Sequence, residues 1–180
     1  MSELIAINAY ENIPAQYRQT PVGLLLEYHN LSRNLETYTS AQLLIGMCMD
    51  NRKHLRIPDN FAYIIRSGGA NLRFSEFKVS YAIGVGKVSH IALIGHNNCA
   101  MVNLAARRND FIEGLTVVAG WSPEKAEEHF LQYAPLFEIG NETDFILSEA
   151  IRLRLRYPKV TVAPILYRVE DNRLYLISEN

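Results

Sequence analysis

The 180-residue sequence is poor in cysteine and tryptophan, with two residues of the first type and one of the second. Its longest apolar runs are far shorter than the roughly 20 residues of a transmembrane helix, which excludes a membrane span. The formal net charge is −1, so no broad attraction to nucleic acid or to an anionic membrane is expected. Residues 1–5 lack the basic region and apolar core of a signal peptide, and a cytoplasmic location is therefore expected.

The small number of cysteines also indicates what the two cysteine side chains do. Two cysteines in a reducing compartment are expected to be free thiols or metal ligands rather than a disulfide. Apolar residues make up 48% of the chain and charged residues 21%, which is typical of a soluble globular protein. A chain of this length can bury a substantial core, and we predict a single domain over residues 1–180.

Apolar runs and turn residues predict an alternation of strands and helices. Strands are predicted over residues 41–47, 61–65, 91–94, 160–167 and 173–177. Helices are predicted over residues 20–37, 74–85 and 141–157. Two more are predicted, one that begins after His96 and carries Met101 and Leu104, and one that begins at Ser122. The early strand runs are apolar throughout, which favours burial on both faces. The prediction is an α/β fold with a mainly parallel central β-sheet, flanked by helices and extended by a C-terminal β-hairpin.

Both cysteines follow predicted strands, each with another potential ligand beside it. Cys48 comes just after the strand over 41–47, and His96 comes just after the strand over 91–94, three residues before Cys99. Ligands of open α/β sheets gather at the carboxyl ends of strands, so these side chains are expected to meet. Two thiolates and one imidazole make a zinc site with an open fourth position, where bound water has a pKa of about 7.

Asp50 and Arg52 extend this candidate site. They lie two and four residues after Cys48, and in an extended or turning segment they can point the same way and pair. A paired aspartate stays ionised and oriented, as a group that takes a proton from water must be. Asp50 could also reach the zinc as a fourth ligand. A purely structural ion pair is the alternative, and the nearby His54 could assist proton transfer.

The order Cys-x-Asp-x-Arg, Ser-Gly-Gly-Ala-Asn and Gly-His-x-x-Cys resembles the β-class carbonic anhydrases, and the similarity covers most of the chain. The resemblance implies one Zn²⁺ per chain on Cys48, His96 and Cys99, with Asp50 and Arg52 as the catalytic pair. It implies reversible hydration of CO2 to bicarbonate by zinc-bound hydroxide. In some members of the family, the aspartate occupies the fourth zinc position at rest.

The resemblance further implies self-association as a dimer or tetramer, with an N-terminal helical arm over about residues 1–38 that packs against a neighbour. Where the family usually has Gly-Gly after the second cysteine, this chain has Ala100-Met101, which reshapes the space beside the metal. Two alternatives therefore stay open: hydrolysis of carbonyl sulfide or carbon disulfide on the same scaffold, and a non-catalytic zinc-binding regulatory homologue. The expected substrate pocket is formed by Gly69, Ala70, Asn71, Ala100 and Met101.

Overall fold

Residues 3–179, the part of the chain that the computed structural model describes, form one six-stranded sheet and five α-helices. The strands are β1 (Leu4–Ala6), β2 (Leu43–Cys48), β3 (Ala62–Ser67), β4 (His90–His96), β5 (Thr161–Arg168) and β6 (Arg173–Ile177). The helices are α1 (Pro21–Asn30), α2 (Glu76–Gly84), α3 (Arg108–Ala119), α4 (Pro123–Phe137) and α5 (Glu142–Arg156). Within the described residues, no helix combines the length and the apolar character that crossing a lipid bilayer requires.

The sheet has the strand order β1-β6-β5-β4-β2-β3. Strands β5, β4, β2 and β3 run parallel to one another, and β3 forms one edge of the sheet. Strand β6 runs antiparallel to its two neighbours, β5 and β1. The turn between β5 and β6 includes Asn172 at φ 55°, a left-handed conformation that asparagine tolerates. The predicted α/β fold, with a mainly parallel sheet and a C-terminal hairpin, is therefore confirmed.

The central strands β2 and β4 are buried on both faces of the sheet. Successive side chains of a strand point to opposite sides, so each strand contributes to both cores. On β2, Leu43 and Ile45 belong to the core that packs against α1. The intervening Leu44 belongs to the opposite core, which α2 and α5 cover. Every residue of β2 is buried, in keeping with its uninterrupted apolar run.

Two predicted helices differ from the structure. The helix expected over 20–37 ends at Asn30, and an irregular segment leads from there to β2. The helix expected directly after His96 was wrong, since the first helical residues after it are the 3₁₀ segment Leu104–Arg107 and then α3. The reason is local: Asn98 and Asn103 have φ values of 54° and 55°, which a right-handed helix does not allow.

The N-terminal region contains more sheet than the sequence predicts. Strand β1 was missed because three residues are too few to display a period-2 pattern. Within residues 3–38, both β1 and α1 contact the sheet of the same chain, and the buried side chains of α1 include Leu25 and Tyr28.

Candidate metal centre

Adjacent parallel strands place the first two candidate ligands side by side. Cys48 is the last residue of β2 and His96 is the last residue of β4, and the register pairs Met47 with Ile94. Cys99 returns to the same edge of the sheet through the tight turn that follows β4. The sulfur atoms and a ring nitrogen of these three buried residues all lie within 4.8 Å of one another, so the structure brings together the ligand set expected from the sequence.

The three side chains have the donor atoms and the spacing of a tetrahedral zinc site. The Sγ atoms of Cys48 and Cys99 are 3.9 Å apart, and both cysteines are free. Zn–S bonds of about 2.3 Å place two sulfurs about 3.8 Å apart in a regular tetrahedron. The Nε2 atom of His96 is buried without a hydrogen-bond partner among residues 3–179. A buried nitrogen of this kind is costly unless it has a partner, and a metal ion would supply one.

The His96 ring is held in the orientation that a metal ligand needs. Its Nδ1 lies 2.9 Å from the carbonyl oxygen of Asn97, and because a carbonyl only accepts, Nδ1 carries the proton. Nε2 is then the unprotonated nitrogen that faces the two sulfurs. The Asn97 side chain is fixed in turn, since its Oδ1 accepts from Val169 N at 2.9 Å and its Nδ2 donates to Glu170.

Helix α5 supports the turn that carries Cys99. Its first residue, Glu142, accepts a hydrogen bond from the Cys99 backbone N–H at 3.1 Å. The helix can approach so closely because position 95 is glycine: a Cβ there would lie 2.6 Å from Cγ1 of Ile146. Gly95 is therefore needed for packing directly beneath the candidate metal ligands.

The two sulfurs form a coupled acid–base pair. The hydrogen bond between the thiols lowers the pKa of Cys48 and raises that of Cys99, because one proton shared between two sulfurs favours a single thiolate. Nearby Lys53 also lowers the pKa of Cys48. These contacts favour the thiolate, which is the form of cysteine that binds metals.

Asp50 and Arg52 pair as predicted. Arg52 donates through Nη2 to Oδ2 of Asp50 at 2.7 Å and through Nε to Oδ1 at 3.0 Å. The same guanidinium holds the turn by donating to the carbonyl oxygen of Asn98 at 3.0 Å. Hydrogen bonds from Arg52 keep the pKa of Asp50 well below its usual range. Asp50 Oδ2 lies 3.8 Å from His96 Nε2, so an ionised carboxylate stands at the edge of the ligand cluster.

A buried lysine is the site residue that the sequence analysis misses. The side chain of Lys53 is fully buried, with Nζ 3.0 Å from the backbone oxygen of Asp50 and 3.7 Å from its Oδ1. Burial lowers the pKa of Lys53, while the charges of Cys48 and Asp50 oppose this effect. In the sequence, only the position of Lys53 three residues after Asp50 points to a contact with the site. An exposed lysine at that position would look the same, so the sequence does not reveal its burial.

The predicted substrate-pocket residues divide into two groups. Gly69, Ala70 and Asn71 are buried, and the Asn71 side chain donates to the carbonyl oxygen of Leu136 on α4 at 3.0 Å. Ala100 is exposed. Among these five residues, Met101 alone packs against the buried cluster of Cys48, Cys99 and Ile139 and also lines a cavity beside it.

No protein-family profile matches the chain, and no curated protein sequence matches it significantly. Several solved structures, however, have folds similar to that of this chain. Carbonic anhydrase from Glaciozyma antarctica is 19% identical with a TM-score of 0.60, over 81% of this chain and 87% of that chain. The β-carbonic anhydrase isoform I from Trichomonas vaginalis is 17% identical with a TM-score of 0.60, over 81% and 88%. The apo form of a carbon disulfide hydrolase is 20% identical with a TM-score of 0.53, over 75% and 77%. At such identities the likeness establishes the architecture, and the chain has the fold of the β-carbonic anhydrases.

Proposed function

We propose that the chain is a zinc-dependent enzyme that catalyses the reversible hydration of CO2 to bicarbonate, with one Zn²⁺ per chain. The observation that carries the proposal is the convergence of Cys48, His96 and Cys99 within 4.8 Å, with the ion pair of Asp50 and Arg52 at their edge. Solved carbonic anhydrases with the same fold support it.

Each residue has a distinct role in this proposal. Cys48, His96 and Cys99 hold the metal through two sulfurs and one nitrogen. Zinc with three protein ligands lowers the pKa of a water molecule to about 7 and so supplies a nucleophile at neutral pH. Asp50 is ionised and would accept a hydrogen bond from that water and so orient it, while Arg52 holds the carboxylate in place by a two-point contact.

Hydrolysis of carbon disulfide or carbonyl sulfide is the second candidate. It is favoured by Met101, which packs against the cluster of Cys48, Cys99 and Ile139 at a position where the resemblance implies glycine. A thioether is apolar and polarisable, and it suits a sulfur-containing linear substrate. The carbon disulfide hydrolase among the similar structures supports the same reading. Sulfide release from either substrate, measured beside CO2 hydration, separates the two functions.

Self-association as a dimer or tetramer is part of the proposal. The sheet ends in the parallel edge strand β3, where Tyr63 and Ile64 are exposed next to Phe77 and Tyr81 of α2. An exposed edge strand with an apolar patch is typical of a surface that pairs with a second copy. Sedimentation analysis of the purified chain tests this assignment, and a species of monomer mass at all concentrations would contradict it.

The experiment for the principal function is stopped-flow CO2 hydration by purified protein whose zinc content has been measured. We expect catalysis well above the buffer rate, and a fall of roughly 100-fold or more in kcat for Asp50→Asn, because the neutral amide loses the charge that orients the water and the two-point contact with Arg52. Asp59→Asn, at an exposed position outside the site, is the matched control and should retain full activity.

Two results would count against this function. Fully zinc-loaded protein that hydrates CO2 no faster than buffer would contradict it and would favour the non-catalytic zinc-binding alternative. An Asp50→Asn protein with the parent's activity would remove Asp50 from the mechanism, because the substitution preserves the size of the side chain.

A further inference from the structure

A cavity of about 360 Å³ lies between the paired helices α3 and α4 and the carboxyl end of the sheet. Its lining is almost entirely apolar. Among the described residues that line it, only His129 and Tyr133 have a nitrogen or oxygen atom in the side chain. Cavities of about 300–1,000 Å³ that are mostly apolar and have few polar groups are typical of small-molecule sites.

The cavity borders the candidate metal centre. Met101 lines it and also packs against the buried cluster that Cys48, Cys99 and Ile139 form. Met49 lines it as well, and this residue directly follows Cys48 in the chain. Glycine at position 68 allows Met101 to occupy its place, because a Cβ there would lie 2.9 Å from the Met101 sulfur. A molecule in the cavity therefore lies one side chain away from that cluster.

The size of the cavity exceeds the needs of the proposed reaction. A volume of about 360 Å³ is roughly twelve times the ~30 Å³ that one water molecule occupies in the liquid. CO2 and bicarbonate have three and four non-hydrogen atoms, so a much larger molecule fits this space. Its lining includes no Asp, Glu, Lys or Arg among residues 3–179, so a charged ligand would lose its hydration without gaining an ionic partner.

Aromatic rings define the far wall. His129 stacks on Phe111 with ring centroids 6.1 Å apart and an angle of 16° between the planes. Its ring also contacts Tyr133 at 4.7 Å and the edge of Trp121 at 5.3 Å. These contacts fix His129 as a hydrogen-bonding group set in an aromatic wall. Rings stack favourably on rings, so this wall suits an aromatic ligand.

We propose that this cavity is a binding site for an uncharged, largely apolar molecule of about the size of a substituted benzene ring. The ligand packs between Met49 and Met101 at one end and the rings of α3 and α4 at the other. Binding depends on the apolar lining and requires neither zinc nor turnover. Failure of this proposal is therefore distinguishable from failure of the proposed enzyme activity.

The test is a titration with toluene, followed by the methyl resonances of isotope-labelled methionine. The sequence has four methionines, of which Met49 and Met101 line the cavity while Met47 is buried within β2. We expect saturable shifts at Met49 and Met101 and little change at Met47. Benzylammonium has the same ring with a positive charge, and it should cause no saturable shift because the lining offers no anion.

Three outcomes overturn the proposal: no saturable shift at Met49 or Met101, equal shifts at Met47, or binding of benzylammonium as tight as that of toluene. Filling the cavity gives an independent check. Ala134→Leu adds three carbons at a lining position and should weaken toluene binding by roughly tenfold or more. Ala119→Leu makes the same change at an exposed position of α3 and should leave binding unchanged. The titrations of the unaltered chain decide the question even if Ala134→Leu fails to fold.

Discussion

At the scale of single residues, the candidate site is a small cluster of opposed charges. Asp50 and the cysteine thiolate are negative, and they are matched by the guanidinium of Arg52 and the buried ammonium of Lys53. A fully buried ammonium is unfavourable unless anions or carbonyl oxygens surround it. Lys53 has both in Asp50, which explains how it remains inside the protein.

Replacing Lys53 with methionine removes this charge and keeps a side chain of similar length. Asp50 then loses its buried cation, and its backbone oxygen loses a hydrogen bond. We expect kcat for CO2 hydration to fall by roughly 10- to 100-fold, which is typical of residues that position a metal site. KM and the overall secondary structure should stay close to those of the parent.

Lys78→Met provides the matched control for this change, since Lys78 is exposed on α2. Its kcat should equal that of the parent. A Lys53→Met protein that binds one zinc and turns over at the parent's rate would show that Lys53 does not position Asp50.

His29 is expected to make the stability of the fold depend on pH. Its Nδ1 accepts from the backbone N–H of Arg56 at 3.0 Å, and its Nε2 donates to the carbonyl oxygen of Asn172 at 2.8 Å. Burial lowers the pKa of His29 below its usual 6.5, and the charges of Arg56 and Arg173 lower it further. The folded state therefore prefers the neutral ring, whereas the unfolded chain takes up a proton as the pH falls through 6.5.

The free energy of unfolding should consequently decrease as the pH falls from 7.5 towards the lower pKa of the folded state, with His29 contributing at most about 1.4 kcal/mol per pH unit. Urea titrations at pH 7.5, 6.5 and 5.5 measure the slope. His29→Gln should reduce it, and the exposed His54→Gln should leave it unchanged. An equal slope in His29→Gln and the parent would contradict this account.

At the scale of elements, helix α5 depends on its N-cap. Asn141 Oδ1 accepts from the backbone N–H of Asp144 at 3.1 Å and satisfies one of the free donors of the first turn. Asn141→Ala should cost about 1 kcal/mol of stability. In a protein of this size that corresponds to a Tm lower by about 2–4 °C.

Differential scanning calorimetry tests this prediction, with Asn109→Ala as the control because Asn109 is exposed on α3. The control should keep the Tm of the parent. Equal Tm values for all three proteins would mean that the cap contributes nothing.

The same elements show how far the sequence alone can lead. Helix α4 was predicted because its cap and its helix-starting residue, Ser122 and Pro123, are local signals. The bounds predicted for α5, 141–157, agree closely with Glu142–Arg156. The meeting of Cys48, His96 and Cys99 was predicted because strand ends in a parallel sheet share one edge, and the structure brings the three together. The turn after His96 was predicted as a helix, which the left-handed conformation of Asn98 rules out. The burial of Lys53 likewise depends on contacts that a single sequence does not display.

At the scale of the whole molecule, the strand order explains the site. β2 and β4 are adjacent, although β3 and α2 separate them in the chain, so Cys48 meets Cys99 across 51 residues. The paired helices α3 and α4 follow directly and form the wall of the apolar cavity on the same side. One edge of the sheet therefore holds both the candidate metal ligands and the cavity.

X-ray absorption spectroscopy at the zinc edge is the most direct test of the central claim, that Cys48, His96 and Cys99 form a zinc centre. Protein purified without added metal should contain about one zinc per chain, coordinated by two sulfurs at about 2.3 Å and one imidazole nitrogen at about 2.0 Å. A lighter atom from water or from Asp50 should complete the shell. Protein that retains no zinc, or zinc whose ligands include no sulfur, would contradict the account.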